Sequence, residues 1–178
     1  DETGKIPDEG PMVLVCNHVS YVDALLIASA CRRPVRFVMD RSIAEMPVLK
    51  YFFRFARTIP ICSPKKDNEV YETAFRRIRE ELADGQVVCI FPEGKLTKDG
   101  EVDTFKRGIE RIIEETPVPV KPMALNGLWG SFFSHKDGLA LTKTPRRFWS
   151  KVTIRLGKTL PPEEVNAPLL QEKVLELM

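Results

Sequence analysis

Several patterns that would assign a function directly are missing from this sequence of 178 residues. Its cysteines, at positions 16, 31, 62 and 89, form no C-x-x-C pair, which excludes the usual zinc and thioredoxin patterns and favours a reducing, cytoplasmic setting. No run approaches the roughly 18 apolar residues that a transmembrane helix needs. A net charge of only +2 gives no reason to expect a nucleic-acid partner. The G-x-S-x-G sequence of many serine hydrolases is also absent.

Basic and aromatic residues occur together in two segments, 50–57 and 146–151. This mixture suits an anionic membrane surface, where rings sit at headgroup depth and cations meet phosphates. A solvated basic face beside the edge of the core would have the same composition. Both interpretations therefore stay open at the level of the sequence.

Short apolar runs alternate with helical patterns along the whole chain. Strands are predicted at 12–16, 35–39, 58–62, 87–91, 118–125 and 151–156, and helices at 23–31, 43–56, 68–84, 105–115 and beyond 161. Apolar strands separated by helices indicate a sheet covered on both faces. We therefore expect a three-layer α/β/α domain with a central, mostly parallel or mixed sheet. Pro119 and Pro122 predict an edge strand or a bent strand at 118–125.

Polar residues follow the first predicted strand. His18 comes almost directly after it, and Asp23 begins the next helix. A strand-to-helix turn can fold the carboxylate back onto the imidazole, which fixes the ring and leaves its other nitrogen to remove a proton from a hydroxyl. Ser20-x-x-Asp23 also matches a helix capping box, which would explain both residues without catalysis.

A second polar turn, Phe91-Pro92-Glu93-Gly94, follows the apolar strand at 87–91. Proline ends the strand, and glycine lets the backbone approach a ligand closely. Glu93 is expected near His18 if the two strands are neighbours in the sheet, because functional groups gather at loops leaving the strand ends.

The segments 17–23 (NHVSYVD) and 91–94 (FPEG) together resemble the signature pair of the glycerolipid acyltransferase family. That family includes 1-acylglycerol-3-phosphate acyltransferases and lysophospholipid acyltransferases. Segment 57–61 (RTIPI) resembles its second conserved block and 118–122 (VPVKP) its fourth. The resemblance extends over about two thirds of the chain, with the blocks in the expected order.

The resemblance implies that His18, oriented by Asp23, deprotonates a glycerol hydroxyl, which attacks the thioester of acyl-CoA or acyl carrier protein. It implies a lysophospholipid acceptor, of the 1-acylglycerol-3-phosphate or lysophosphatidylethanolamine type, at a membrane surface. It implies neither a cofactor nor a metal. The residues expected to bind substrate are Asn17, Ser20, Arg57, Lys65, Lys66, Glu93, Gly94 and Lys95.

Two positions depart from the family pattern. The third block usually continues Thr-Arg-Ser after its glycine, whereas Lys95-Leu96-Thr97 follows here, and the arginine that usually ends the second block is replaced by Lys65 and Lys66 further on. Two bidentate phosphate clamps are thus missing. We hypothesise that Lys95 and Lys65 or Lys66 supply the charge, which could favour a phosphodiester headgroup. Solvated loop lysines are the competing interpretation.

Because the sequence begins at Asp1 rather than Met, we expect residues 1–178 to be a single acyltransferase domain excised from a longer membrane-associated protein. The expected location is the cytoplasmic face of a membrane, the bacterial inner membrane in particular. A catalytically idle lipid-binding module, suggested by Leu96, and a thioesterase are the alternatives. His18, Asp23 and Glu93 argue against the idle module, since binding alone needs no base.

Overall fold

The computed structural model describes residues 5–20, 22–45, 51, 53, 56–131, 134 and 151–178. Its elements are β1 Met12–Cys16, α1 Asp23–Ala30, β2 Val35–Asp40, α2 Arg41–Ala44, β3 Ile59–Ile61, α3 Asn68–Ala83, β4 Val87–Ile90, α4 Gly108–Glu115, β5 Val120–Asn126, β6 Thr153–Leu156, a short 3₁₀ helix Pro162–Glu164 and α5 Ala167–Glu176. In that part of the chain, no helix combines the length and the apolar character required to cross a membrane.

The six strands form one mixed sheet in the order β3-β2-β4-β1-β5-β6. Neighbouring strands from β3 to β5 are parallel, and β6 is antiparallel to β5. Strand β1 lies in the middle, paired with β4 on one side and β5 on the other. The carboxyl ends of the five parallel strands therefore open onto a single edge of the sheet.

Helices pack on both faces of the sheet, so the predicted three-layer α/β/α fold with a mixed sheet is confirmed. Helices α3, α4 and α5 cover one face, where Val13 and Val15 of β1 are buried against them. Helix α1 covers the opposite face, where its Ile27 packs near Leu14. Alternate side chains of β1 point to opposite faces, so a strand between two helical layers is apolar throughout.

The predicted helices and strands agree with the structure to within a few residues where the structure describes them. Helix α3 has the apolar spacing of a surface helix, and Asp67 caps it by accepting a hydrogen bond from the Val70 N–H at 3.1 Å. Most of the helix predicted at 43–56, half of the basic-aromatic segment 50–57 and nearly all of the segment 146–151 lie outside the described residues.

Strand β5 is not at the edge of the sheet, so that part of the proline prediction was wrong. It pairs with both β1 and β6. The Pro122 carbonyl accepts a hydrogen bond from the Gly157 N–H at 2.9 Å, just beyond the last paired residue of β6. Since the N–H and C=O of one residue face the same neighbouring strand, the nitrogen of Pro122 faces the point where β6 ends. The missing N–H of Pro122 therefore falls beyond the paired residues of β6, which is why β5 can lie inside the sheet.

Candidate active site

The first two polar turns meet at the same edge because β1 and β4 are adjacent and parallel. Val15 of β1 lies opposite Ile90 of β4. His18 and Glu93 each follow three residues later, at the same height above the sheet. The backbone N–H of His18 donates a hydrogen bond to Glu93 Oε1 at 2.7 Å. The expectation that these two residues lie close together agrees with the structure.

Asp23 folds back onto the turn that precedes it. Its Oδ2 lies 2.9 Å from His18 Nδ1 and accepts hydrogen bonds from the backbone N–H groups of Val19 and Ser20 at 2.7 and 2.9 Å. Its Oδ1 accepts from Ser20 Oγ at 2.7 Å. The carboxylate is fully buried, so these donors replace the water that it loses. Four donors thus fix the carboxylate beside the imidazole.

Only part of the predicted capping box forms: the Asp23 carboxylate accepts from the Ser20 N–H at 2.9 Å, whereas the Asp23 N–H donates to the Ser20 carbonyl and not to its hydroxyl. Helix α1 begins at Asp23 itself, with Val22 as the N-cap residue and no side-chain capping bond. The Ser20 hydroxyl donates to the Asp23 carboxylate at 2.7 Å and accepts from the Val22 N–H at 3.3 Å. Both side chains therefore link the start of the helix to the turn that carries His18.

The His18 ring is held on two sides and open on a third. It stacks on Phe91 with ring centroids 4.2 Å apart and planes inclined by 20°. A carboxylate can only accept, so Nδ1 facing Asp23 carries the proton and leaves Nε2 as the basic atom of the neutral ring. The side chain is 17% exposed, and the described residues offer Nε2 no hydrogen-bond partner.

Glu93 joins the two turns through their backbones. Its Oε2 accepts from the Asp103 N–H at 2.9 Å, while Oε1 accepts from the His18 N–H. The residue is 1% exposed. Burial raises the pKa of Glu93 above its usual value, and the two backbone hydrogen bonds oppose that rise. The same loop also binds the carbonyl of His18, which accepts from the Thr97 N–H at 3.0 Å.

The segment after β5 also contacts the turn that carries His18, and sequence reasoning missed this contact. The buried Asn17 side chain continues the pairing of β1 with β5, since its Oδ1 accepts from the Leu125 N–H at 2.8 Å and its Nδ2 donates to the Leu125 carbonyl at 3.0 Å. Beyond β5, Ser134 forms a backbone bridge with Ser20. No sequence signal for this contact was available, because the order of strands in the sheet is not written in the order of the chain.

Residues 2–126 match the family model described as Acyltransferase. The chain belongs to the acyltransferase family. This finding confirms the resemblance inferred from the motifs. Residues 17–23 and 91–94, which form the candidate active site, both lie within the matched acyltransferase region.

The chain is similar to several acyltransferases of known name. It is 31% identical over 117 residues to the chloroplastic 1-acyl-sn-glycerol-3-phosphate acyltransferase BAT2 of Brassica napus, covering 66% of this chain and 33% of that one. It is 28% identical over 171 residues to the lyso-ornithine lipid O-acyltransferase of Pseudomonas aeruginosa, covering 95% and 61%. The chain thus spans about a third of the first of these acyltransferases.

The fold agrees with that of a solved acyltransferase. The crystal structure of the 1-acyl-sn-glycerophosphate acyltransferase PlsC from Thermotoga maritima superposes with a TM-score of 0.69 at 23% identity, covering 97% of this chain and 65% of that one. The α/β architecture described above is therefore one already observed among acyltransferases.

The positions at which this chain departs from the family pattern differ in their surroundings. Leu96 is 8% exposed and packs in the interior. Lys95 is exposed and forms an ion pair with Asp103, which raises the pKa of Lys95 and lowers that of Asp103. Gly94 has φ +65°, a left-handed conformation that favours glycine. These residues lie on the loop that holds His18.

The remaining predicted cations lie further from His18. Lys65 and Lys66 are exposed in the turn after β3, at the same edge of the sheet. Strand β3 is three positions from β1, which corresponds to roughly 14 Å across the sheet. Arg57 stands before β3 rather than beyond it, with φ +50°. It lines a groove of about 800 Å³ beside β3 together with Pro60 and Arg77. The structure does not bring Arg57 to the turns around His18.

Proposed function

We propose that this domain transfers a fatty acyl group from a thioester donor to a free glycerol hydroxyl of a lysophospholipid. The donor is acyl-CoA or acyl carrier protein, and the acceptor is of the 1-acylglycerol-3-phosphate or lysophosphatidylethanolamine type. The main support is the His18–Asp23 pair, joined at 2.9 Å and placed at an open edge of an acyltransferase-family fold. The names of the relatives favour the same class of acceptor.

His18 acts as the general base of this reaction. Its Nε2 takes the proton of the acceptor hydroxyl as the hydroxyl oxygen bonds to the carbonyl carbon of the thioester. Collapse of the tetrahedral intermediate breaks the carbon–sulfur bond, and the imidazolium returns the proton to the leaving thiolate. The buried Asp23 carboxylate holds the ring tautomer and stabilises the transient imidazolium. No covalent acyl-enzyme is needed, because the acceptor oxygen is itself the nucleophile.

The acceptor is a lipid, so the domain works at a bilayer surface. We place it at the cytoplasmic face of a membrane, the bacterial inner membrane in particular, as one domain of a longer protein. The membrane location rests on the class of acceptor. The longer protein rests on the chain spanning only part of its relatives. Lysine charges at the same edge of the sheet, from Lys95 and from Lys65 or Lys66, are expected to attract the anionic headgroup.

Acyl transfer from labelled acyl-CoA, and separately from labelled acyl carrier protein, to a panel of lysophospholipids tests the proposal. His18→Ala should reduce the formation of lipid product by about 10²- to 10⁴-fold, the usual contribution of a general base. Asp84→Asn, at the exposed end of α3, serves as a surface control beside Asp23→Asn. Lipid product is measured rather than free fatty acid, because hydrolysis would also release the label.

Each outcome of this assay has a defined meaning. Product that disappears in His18→Ala and Asp23→Asn but persists in Asp84→Asn supports the proposed base. Equal product from His18→Ala and the wild type would remove His18 from the reaction. A folded wild type that binds lysolipid and transfers nothing from either donor would favour the idle lipid-binding module.

A further inference from the structure

Lys106 lies across the turn that carries Glu93. Its backbone N–H donates to the Pro92 carbonyl at 3.0 Å, which anchors the residue to this turn. Its side chain runs over Gly94, so a Cβ atom built on that glycine would lie 3.3 Å from Lys106 Cε and would overlap Nζ. The absence of a side chain at position 94 therefore provides the space that the ammonium occupies.

The ammonium of Lys106 is available to a ligand. In the described part of the chain it forms no direct ion pair, and its charge acts only at longer range on Asp103, which Lys95 binds directly and whose pKa both lysines lower. The residue is exposed to solvent. Leu96, at the position where the family pattern has arginine, is buried and carries no charge. Of the cations on the loop that holds His18, Lys106 is thus anchored at the turn and, in the described part of the chain, makes no direct ion pair.

Lys106 and the His18 ring lie at opposite ends of the same short turn. The Gly94 N–H donates to the Phe91 carbonyl at 2.9 Å, so residues 91–94 form a tight turn, whose first and last Cα atoms lie less than about 7 Å apart. Phe91 stacks on the His18 ring at one end of the turn, and Lys106 crosses Gly94 at the other. A ligand spanning this turn would meet the base and the ammonium together.

We propose that Lys106 binds the phosphoryl group of the acceptor while the acceptor's hydroxyl is held at His18. This inference rests on the proposed function. A phosphoryl group could also come from coenzyme A, but its phosphates are separated from the thioester by the long pantetheine arm. In a glycerol-phosphate lipid only a few bonds separate the phosphoryl group from the reacting hydroxyl. Two groups at opposite ends of one turn therefore suit the acceptor better than coenzyme A.

Steady-state acyl transfer with varied acceptor tests the assignment. Lys106→Ala should raise the KM for lysophosphatidate about tenfold, the effect of losing one charged contact, with kcat little changed because the contact is equal in ground and transition states. The KM for a monoacylglycerol of the same chain length, which lacks phosphate, should not change. Lys106→Arg should restore most of the affinity. Arg107→Ala is the matched control, since Arg107 is the next cation and its side chain is 89% exposed.

Gly94→Ala provides an independent variant. An added Cβ would displace the Lys106 ammonium, so the KM for lysophosphatidate should rise as it does in Lys106→Ala. Gly85→Ala is its control, because Gly85 has a similar φ of +74° but nothing within 4 Å of the added atom. The control carries the backbone strain of a left-handed residue without the displacement.

Three results would overturn the assignment. The first is an equal KM for lysophosphatidate in Lys106→Ala and Arg107→Ala. The second is a rise in Lys106→Ala that is confined to the KM for acyl-CoA. The third is a KM for monoacylglycerol that rises in Lys106→Ala as much as the KM for lysophosphatidate. Equilibrium binding of lysophosphatidate, compared with monoacylglycerol, separates this inference from the proposed reaction. Phosphate-selective binding that depends on Lys106 would support the inference even if the wild type transferred no acyl group. Binding without phosphate selectivity would overturn it.

Discussion

Replacing Glu93 by glutamine tests whether this carboxylate works by holding the backbone of the site. Its two oxygens accept the N–H groups of His18 and Asp103 at 2.7 and 2.9 Å. Glutamine retains one acceptor oxygen and replaces the other with an amide NH₂ group that can only donate. One of the two backbone N–H groups therefore loses its partner and faces another donor, while the volume of the side chain is conserved.

The expected magnitude follows from those two contacts. A buried donor left unpaired costs about 1–3 kcal/mol, so Glu93→Gln should lower the free energy of unfolding by that amount. A shift of the His18 backbone moves the ring, and kcat should fall about 10-fold in Glu93→Gln and about 100-fold in Glu93→Ala, which removes both acceptors. The KM for the acceptor should change little, because Glu93 is 1% exposed and both oxygens are occupied.

Steady-state kinetics and urea unfolding measure the two effects separately. Glu110→Gln is the matched control, because Glu110 also accepts a backbone N–H, that of Ala167 at 3.0 Å, in another part of the fold. It should affect stability alone and leave kcat unchanged. An acceptor KM that rises at least tenfold in Glu93→Gln at constant kcat would refute the reasoning, since it would mean that Glu93 contacts the acceptor.

The stability difference between the wild type and Glu93→Gln should depend on pH. Burial raises the pKa of Glu93 in the folded state above its value in the unfolded chain. The resulting stabilisation is fully present below the unfolded-state pKa and is lost as the pH rises through the folded-state pKa. Glutamine does not titrate. The advantage of the wild type over Glu93→Gln should therefore be largest in acid and smaller at neutral pH, as measured by urea unfolding across that range.

Two further substitutions test the surroundings of the site. Asn17→Ala leaves the N–H and C=O of Leu125 unpaired and should lower the free energy of unfolding by about 2–5 kcal/mol, as measured in urea. Asn166→Ala, which removes an exposed helix cap, should cost only about 1 kcal/mol. Equal losses in the two variants would contradict this account. Leu96→Arg should destabilise the fold by more than about 2 kcal/mol, because it places a charge at a buried position. A variant of unchanged stability with a lower acceptor KM would contradict it.

Much of the fold was predictable because each element carries its own signal. Strand β1 is apolar at every position, and helix α3 shows apolar residues at helical spacing with Gly85 two residues after its end. The two polar turns could be placed at strand ends because each of them follows an apolar strand. What these local signals do not contain is the order of the strands. The adjacency of β1 with β5, and the contact made by the segment after β5, became visible only in the structure.

Local rules also misled where tertiary contacts decide the outcome. Pro122 would weaken an isolated ladder, yet its nitrogen faces the end of β6, where no donor is required. Ser20 and Asp23 have the spacing of a capping box and form one of its two bonds, but the helix begins later and the Asp23 carboxylate also binds the His18 ring. In each case the sequence pattern was real, and the neighbouring element determined which hydrogen bonds it makes.

The departure at Leu96 illustrates why the cation of such a site is hard to assign from motif spacing. Spacing along the chain fixes only which residue follows Gly94, whereas the space above this glycine is open to any loop that returns to the turn. Lys106 returns to it twelve residues later, anchored through the Pro92 carbonyl. An arginine at position 96 would have to leave the core to reach the same space. The charge at this turn is therefore a property of the folded loop, and the loss of a motif arginine does not by itself imply the loss of phosphate recognition.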